Sequence, residues 1–341
     1  MKSTELAAAT QWITAAAVQH GPSLPAHVCD RLQISRRSAF ALLRRLQSAQ
    51  WLVHEGSVRR GSWHPGALRQ VVQRYELQGL QEDLPWSRDF APFFALPPEV
   101  ARMAQHAFTE LVNNAADHSG GTQVTVSMRQ TAAHLQLLVS DDGCGLFERI
   151  ESAFAIGDPA LAMVELAKGK LTTQAERHTG RGLYFTSRLA DVFDLHANER
   201  AYQYRGWDRR AWHPGKPLSR RGTSIYLAIA LDTTRTLDAV LRAHSLDGAG
   251  YGFDSTVVPL NLLLGPSTGL ESRAQARCVA SRLGSFKRAE LDFTGIADIG
   301  HGFADELFRV FGRDHPALAL VPVGMAPRVA AMIEAVDAPR A

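Results

Sequence analysis

The chain has 341 residues, 45% hydrophobic and 21% charged, a globular composition long enough for two or three domains. Lys and Arg total 37 against 34 Asp and Glu, so the net charge of +3 selects no class of partner, and only local charge is informative. Cys29, Cys144 and Cys278 lie far apart without C-x-x-C spacing, which argues against a disulfide framework or a Cys-rich zinc site.

Residues 1–65 read as helices followed by a hairpin. Leu6–Gln19 is an Ala-rich helix lacking the basic-then-apolar layout of a signal peptide. No apolar run reaches the roughly 20 residues that cross a bilayer, so a cytoplasmic protein without membrane contact is expected. Gly21-Pro22 breaks the helix, and a second opens at Ser23-Leu24-Pro25 and runs through Leu32. Ser35 is the N-cap of a third, whose apolar stripe is Phe40, Leu42, Leu43 and Leu46. Strands at Trp51–Val53 and Ser57–Trp63 join around Glu55-Gly56. This order is the layout of a winged helix-turn-helix. Between positions 31 and 60, Arg31, Arg36, Arg37, Arg44, Arg45, Arg59 and Arg60 are opposed only by Glu55. Arg36 and Arg37 open the expected recognition helix, and Arg59 and Arg60 sit on the wing, where arginine pairs with phosphate or reads guanine edges. DNA is therefore the expected partner, the alternative being a basic helical hairpin that contacts protein. Because helix-turn-helix proteins commonly pair, a homodimer is a candidate arrangement.

Residues 66–98 read as a connector, with a helical piece at Gln70–Arg74 and Pro92, Pro97 and Pro98 as punctuation. A second domain, 99–232, opens with a helix over Ala101–Ser119 whose buried stripe is Met103, Ala107, Leu111 and Ala115. Glu110, Asn114 and His118, each four apart, share another face. An amide oxygen such as that of Asn114 suits Mg²⁺, and Glu110 one turn earlier can orient or deprotonate water. Strands at Gln123–Met128 and Leu135–Val139 follow, the second ending in Ser140-Asp141-Asp142-Gly143-Cys144-Gly145. A carboxylate there can accept from an adenine amino group, and the glycines leave room for base and sugar. A second Gly-rich turn, His178–Leu183, leads into a helix through Leu189, a junction whose N–H groups favour phosphate. Gly222-Thr223-Ser224 opens a strand over Ile225–Ile229. The third domain, 250–341, follows a hinge at Asp247–Asp254 and alternates. Strands at Val257–Leu264, Ala289–Thr294 and Ala317–Val323 are interleaved with helices at Ser272–Leu283, Phe303–Phe311 and Val329–Val336.

The second domain resembles the GHKL ATPases, the superfamily of gyrase, sensor histidine kinases and anti-sigma-factor kinases. GluLeuValAsnAsnAlaAlaAspHisSer is similar to their N box, AspAspGlyCysGly to the G1 box, ThrGlyArgGlyLeu to the G2 box and GlyThrSerIleTyrLeu to the last box, in the family's order. The resemblance implies a Bergerat α/β sandwich binding ATP and Mg²⁺. Asn114 would be the metal ligand, Asp141 the adenine reader and Thr223 its support. Gly143 and Gly145 would flank the base, Gly180, Arg181 and Gly182 would hold the phosphates, and Glu110 would be the catalytic base. Residues 147–179 would form the lid, with Lys168, Lys170 and Arg177 as cations that are each more readily solvated charges than phosphate ligands. Asp142 reads as an exposed turn residue. The third domain resembles a STAS-like domain, most clearly over LeuAspPheThrGlyIleAlaAspIleGlyHisGlyPheAlaAspGluLeuPhe. Ala297–Gly302 contains no hydroxyl where phosphorylated antagonists of that family carry one, and Thr294 lies earlier. A docking role is therefore expected for this domain, with Asp305-Glu306 as an exposed acid pair.

The expected fold is thus an α/β multidomain chain: winged helix, Bergerat sandwich and STAS-like domain. The expected function is an ATP-dependent DNA-binding or signalling switch. The alternatives are a serine/threonine kinase of anti-sigma type acting on a partner protein, and a non-catalytic ATP-sensing scaffold. A sensor histidine kinase is disfavoured, because the connector is short and Pro-punctuated and His106 lies on the N-box helix itself.

Overall fold

The computed structural model describes residues 3–57, 61–81, 83–171, 180–208, 212–248, 250–264 and 269–337. Helices α1 (Ser3–Thr10), α2 (Ile13–His20), α3 (Leu24–Leu32) and α4 (Arg36–Ser48) precede strands β1 (Leu52–Glu55), β2 (Ser62–Pro65) and β3 (Arg69–Glu76). Then come α5 (Pro98–His118), β4 (Gln123–Gln130), β5 (His134–Asp141), α6 (Leu146–Phe154), α7 (Pro159–Lys168) and α8 (Gly182–Leu189). Strands β6 (Val192–Ala197), β7 (Arg200–Arg205), β8 (Trp212–Pro214) and β9 (Thr223–Ala230) follow, then α9 (Leu237–Arg242) and β10 (Ser255–Pro259). The chain closes with α10 (Arg273–Ala280), β11 (Arg288–Asp292), α11 (His301–Ala304), α12 (Gly312–Asp314), β12 (Ala319–Val323) and α13 (Pro327–Asp337). Two units result, one of residues 1–143 with 222–234, the other of 144–221 with 235–341.

In the first unit, α1–α4 and the antiparallel β1–β2 hairpin enclose a core of Ile13, Leu24, Val28, Leu42, Leu43, Leu46 and Trp63. Ser35 caps α4 as expected, its hydroxyl accepting from the Ser38 N–H at 3.2 Å. Three local expectations change. The Leu6–Gln19 helix is broken: Trp12 leaves helical geometry (φ −130°), and the Arg31 guanidinium lies over its ring at 4.6 Å. Ala39 rather than Phe40 completes the buried stripe of α4, and Phe40 stays half-buried beside Arg36. The second hairpin strand begins at Ser62, not Ser57.

The same unit holds an antiparallel sheet in the order β3-β4-β5-β9. Strand β3 replaces the helix expected at Gln70–Arg74. Val71, Val72 and Tyr75 favour extended backbone, and β3 pairs along its whole length with β4, Val71 opposite Met128. Helix α5 starts on Pro98, a residue suited to the first helical turn, and buries Met103, Ala107, Leu111 and Ala115 as expected.

In the second unit, β6-β7-β8 form an antiparallel meander. Strands β10, β11 and β12 form a parallel sheet in chain order, with α10 and the α11–α12 region as the intervening helical segments. The strand expected over Val257–Leu264 stops at Pro259, and Leu260–Leu263 form a 3₁₀ turn. Ser272 and Gln275 close a capping box at the start of α10. Among the described residues no helix is long and apolar enough to cross a membrane.

Candidate functional site

Two surfaces of the first unit carry residues that the sequence marks as candidates. On α4, Arg36 and Arg37 are exposed in the first turn, and Arg44 and Arg45 are exposed further along. Cations at a helix N-terminus oppose the macrodipole by a few tenths of a kcal/mol to about 1 kcal/mol, so Arg36 and Arg37 are not there to stabilise the helix. Arg59 and Arg60 lie outside the described residues.

The second surface is built on α5 and the end of β5. Burying Met103, Ala107, Leu111 and Ala115 turns the face of Glu110, Asn114 and His118 away from the core, and all three are half-buried. Asp141 ends β5 and is only 6% exposed. Its Oδ1 accepts from the Gly143 N–H at 2.9 Å and the Thr223 N–H at 3.1 Å. Two backbone donors from different segments thus fix the carboxyl group in one orientation. Thr223 thus contacts Asp141 through its backbone amide.

The glycines around Asp141 prove to be required by protein atoms. A Cβ on Gly143 would lie 2.3 Å from the Ser119 carbonyl oxygen, so this turn is wedged against the C-terminal end of α5. Gly222 has φ +89°, and a Cβ there would lie 2.3 Å from the Asp141 carbonyl oxygen. Asp142 is exposed, as expected, but not idle. It accepts from the Thr122 N–H at 2.7 Å, the Gln123 N–H at 3.0 Å and the Thr122 hydroxyl at 2.7 Å. These donors, Gln123 first, hold its carboxyl down at about 2. The Asp141–Gly143 turn is therefore fastened to both the end of α5 and the start of β4.

In the second unit, Gly145 (φ +94°) precedes α6 beside Asn198, whose amide donates to the Cys144 carbonyl at 2.8 Å. Gly180 has φ +65° and backs onto the Leu171 backbone, and Gly182 opens α8. Arg181 donates to the Tyr251 carbonyl at 3.2 Å and lies over the Phe253 ring at 5.8 Å.

The expected lid contains helices α6 and α7 as far as the described residues reach; residues 172–179, with Arg177, lie outside them. Lys168 is not a solvated charge. Its side chain is fully buried, paired with Glu165, and donates to the Ser281 carbonyl at 2.8 Å. Burial pulls its ammonium below the usual lysine range, against the attraction of Glu165. Lys170 donates to the Ser285 carbonyl at 2.6 Å and lies over the Phe286 ring at 4.1 Å.

Asp305 and Glu306 also depart from expectation. Asp305 is buried and bound by Arg309 and Arg273, the latter at 3.1 Å, while Arg277 meets Glu306 at 2.7 Å. The pair ties two helical segments together, α10 and the Asp305–Phe311 π-type turn, which pack on each other. Thr294 follows β11, and its N–H donates to the Asp292 carboxylate at 2.9 Å. Among the described residues no group of three or more His, Cys, Asp and Glu side chains is placed to hold a metal ion.

Residues 99–233 match the family model "Histidine kinase-, DNA gyrase B-, and HSP90-like ATPase", and residues 277–329 match "STAS-like domain of unknown function". The chain thus carries a GHKL-type ATPase domain and a C-terminal STAS-like domain. A domain of the first type binds ATP, typically with Mg²⁺. A search of curated proteins finds no match to the chain.

Proposed function

We propose that the chain is an ATP-dependent regulator whose GHKL-type domain binds Mg-ATP and switches the activity of its flanking segments. The observation that carries this reading is the Asp141 carboxyl group, nearly buried and oriented by the Gly143 and Thr223 amides. A fixed acceptor beside a glycine turn is what recognition of an exocyclic amino group on a purine needs. In this reading Asp141 takes the adenine amino group, with Thr223, Gly143 and Gly145 shaping the turn around the base. The Asn114 side-chain oxygen supplies a hard ligand to Mg²⁺, which otherwise draws its oxygens from phosphates and water. Gly180, Arg181 and Gly182 meet the phosphates at the start of α8, and Glu110, one turn from Asn114, orients or deprotonates the attacking water. Arg36 and Arg37, with Arg59 and Arg60, engage DNA, and the STAS-like domain docks a protein partner.

The experiment pairs nucleotide binding with turnover. Purified protein is mixed with Mg-ATP, with and without DNA, and phosphate release and protein labelling are followed together. Phosphate release without label supports the switch, whereas label on an added partner protein replaces it with a kinase. Glu110→Gln should keep ATP binding and lose turnover by roughly 100-fold or more, the scale of general-base catalysis. Unchanged phosphate release from that variant removes Glu110 from the catalytic role.

A further inference from the structure

Helix α7 lies between the G1 and G2 glycines in sequence, yet it packs on β10, on the 3₁₀ turn Leu260–Leu263 and on α10. Ala162, Met163, Val164 and Ala167 are all buried there. Its C-terminal end is stitched down by polar contacts. The Thr256 hydroxyl donates to the Lys168 carbonyl at 2.7 Å. Glu165, buried on the same helix, receives Lys168 on one oxygen and Arg282 on the other, the latter at 2.7 Å. Arg282 also donates to the Gly169 carbonyl at 3.1 Å, and Lys168 to the Ser281 carbonyl. One carboxylate therefore holds two cations, one from the lid helix and one from the segment after α10.

At 10 residues, α7 is shorter than the about 12–15 needed for a helix to persist alone in water, so its order depends on this packing. A buried charge triad also admits few alternative arrangements, since moving one member strands the others unsolvated. We propose that the C-terminal α/β segment is the ordering platform of the nucleotide lid. In this role the buried Lys168–Glu165–Arg282 triad couples the state of that segment to nucleotide affinity. The inference rests on the ATP-binding reading above and deepens it. It assigns the STAS-like segment a regulatory function inside its own chain: anything that loosens the platform makes nucleotide binding bear the cost of ordering α7.

The test uses the full chain. Fluorescent ATP analogue with Mg²⁺ gives the affinity, and hydrogen exchange over residues 159–171 reports the order of α7. Arg282→Ala removes the half-buried member of the triad, and Glu165→Gln leaves two cations facing each other. Both should speed exchange in α7 and weaken nucleotide binding at least about fivefold, the lower range of allosteric coupling. The triple change Glu165→Leu, Lys168→Leu and Arg282→Met keeps the packing without the triad's charges and should hold affinity within about twofold of wild type, because such apolar replacements are often neutral. Faster exchange in Arg282→Ala with affinity unchanged overturns the proposal. So does undiminished protection of α7 in both single variants. Should Glu165→Gln fail to fold, Arg282→Ala and the triple variant decide. A wild-type chain that binds no ATP analogue fails the ATP-binding reading itself, a result visible before any variant is made.

Discussion

Mild acid should weaken the second unit through His244. The ring is enclosed by Tyr184, Phe185 and Phe253, with centroids 5.0, 5.7 and 5.8 Å away. Its Nδ1 donates to the Ser255 carbonyl at 3.1 Å, which satisfies the neutral imidazole. Burial first, and the Arg188 guanidinium second, push it from 6.5 down to about 4, while the Ser255 contact works weakly the other way. The unfolded chain therefore takes up the proton before the folded one. The stabilisation is complete above about 6.5 and is lost as the pH falls from there towards 4. The gap between the two values sets a ceiling of about 3 kcal/mol, of which about 2 is gone at pH 5. Urea unfolding at pH 7.5, 6 and 5 measures this when the protein is compared with His244→Gln, a variant with nothing to titrate at this position. The wild type should lose about 2 kcal/mol more than the variant between pH 7.5 and 5. Parallel stability curves for the two proteins would refute the reasoning, because every other titrating group is common to both.

Two further outcomes test the first unit. Ser35→Ala removes the hydroxyl that accepts from Ser38 at the start of α4 and should lower unfolding stability by about 1 kcal/mol with an unchanged denaturant slope. No shift in the unfolding midpoint would mean the cap contributes nothing. Gly222→Ala puts a side chain at φ +89° against the Asp141 carbonyl and should cost of order 1–3 kcal/mol. It should also weaken nucleotide binding, because the displaced backbone includes the Thr223 donor; calorimetric titration with Mg-ATP that matches wild type would separate Gly222 from the site.

The sequence made legible whatever depends on neighbours within about one helical turn. The four-residue spacing of Glu110, Asn114 and His118 placed them on one face because α5 buries the complementary stripe. Ser35 was legible as a cap because its partner is three residues away. The β/α alternation after position 250 emerged nearly complete, since each of its elements has its own apolar run. Strand β3 was missed because its partner β4 lies some fifty residues on, and a five-residue stretch cannot show which partner it will find. Lys168 and Asp305 were missed for the same physical reason. A charged side chain is read as solvated by default, and what overturns the default is burial against a distant segment: the Ser281 carbonyl 113 positions from Lys168, and Arg273 32 positions from Asp305.

The glycines show where pattern and cause part. In sequence, Gly143 and Gly145 invite one explanation, room for a ligand, and Gly222 only opens a strand. In the structure each has a protein atom where its Cβ would be: the Ser119 carbonyl, the Asn198 amide and the Asp141 carbonyl. Their small size closes turns instead of opening space. Closing those turns brings the Gly143 and Thr223 amides onto one oxygen of Asp141, and the same wedge at Ser119 fixes the end of the helix that carries Asn114. Asp142 completes the fastening by gripping Thr122 and Gln123. A site assembled this way has its acceptor oriented before any ligand arrives, which is where recognition gains most, because little ordering is left for binding to supply. In the proposed function the glycine motif therefore serves nucleotide recognition through backbone geometry, one step removed from contact, and substitutions at these positions should damage folding and binding together.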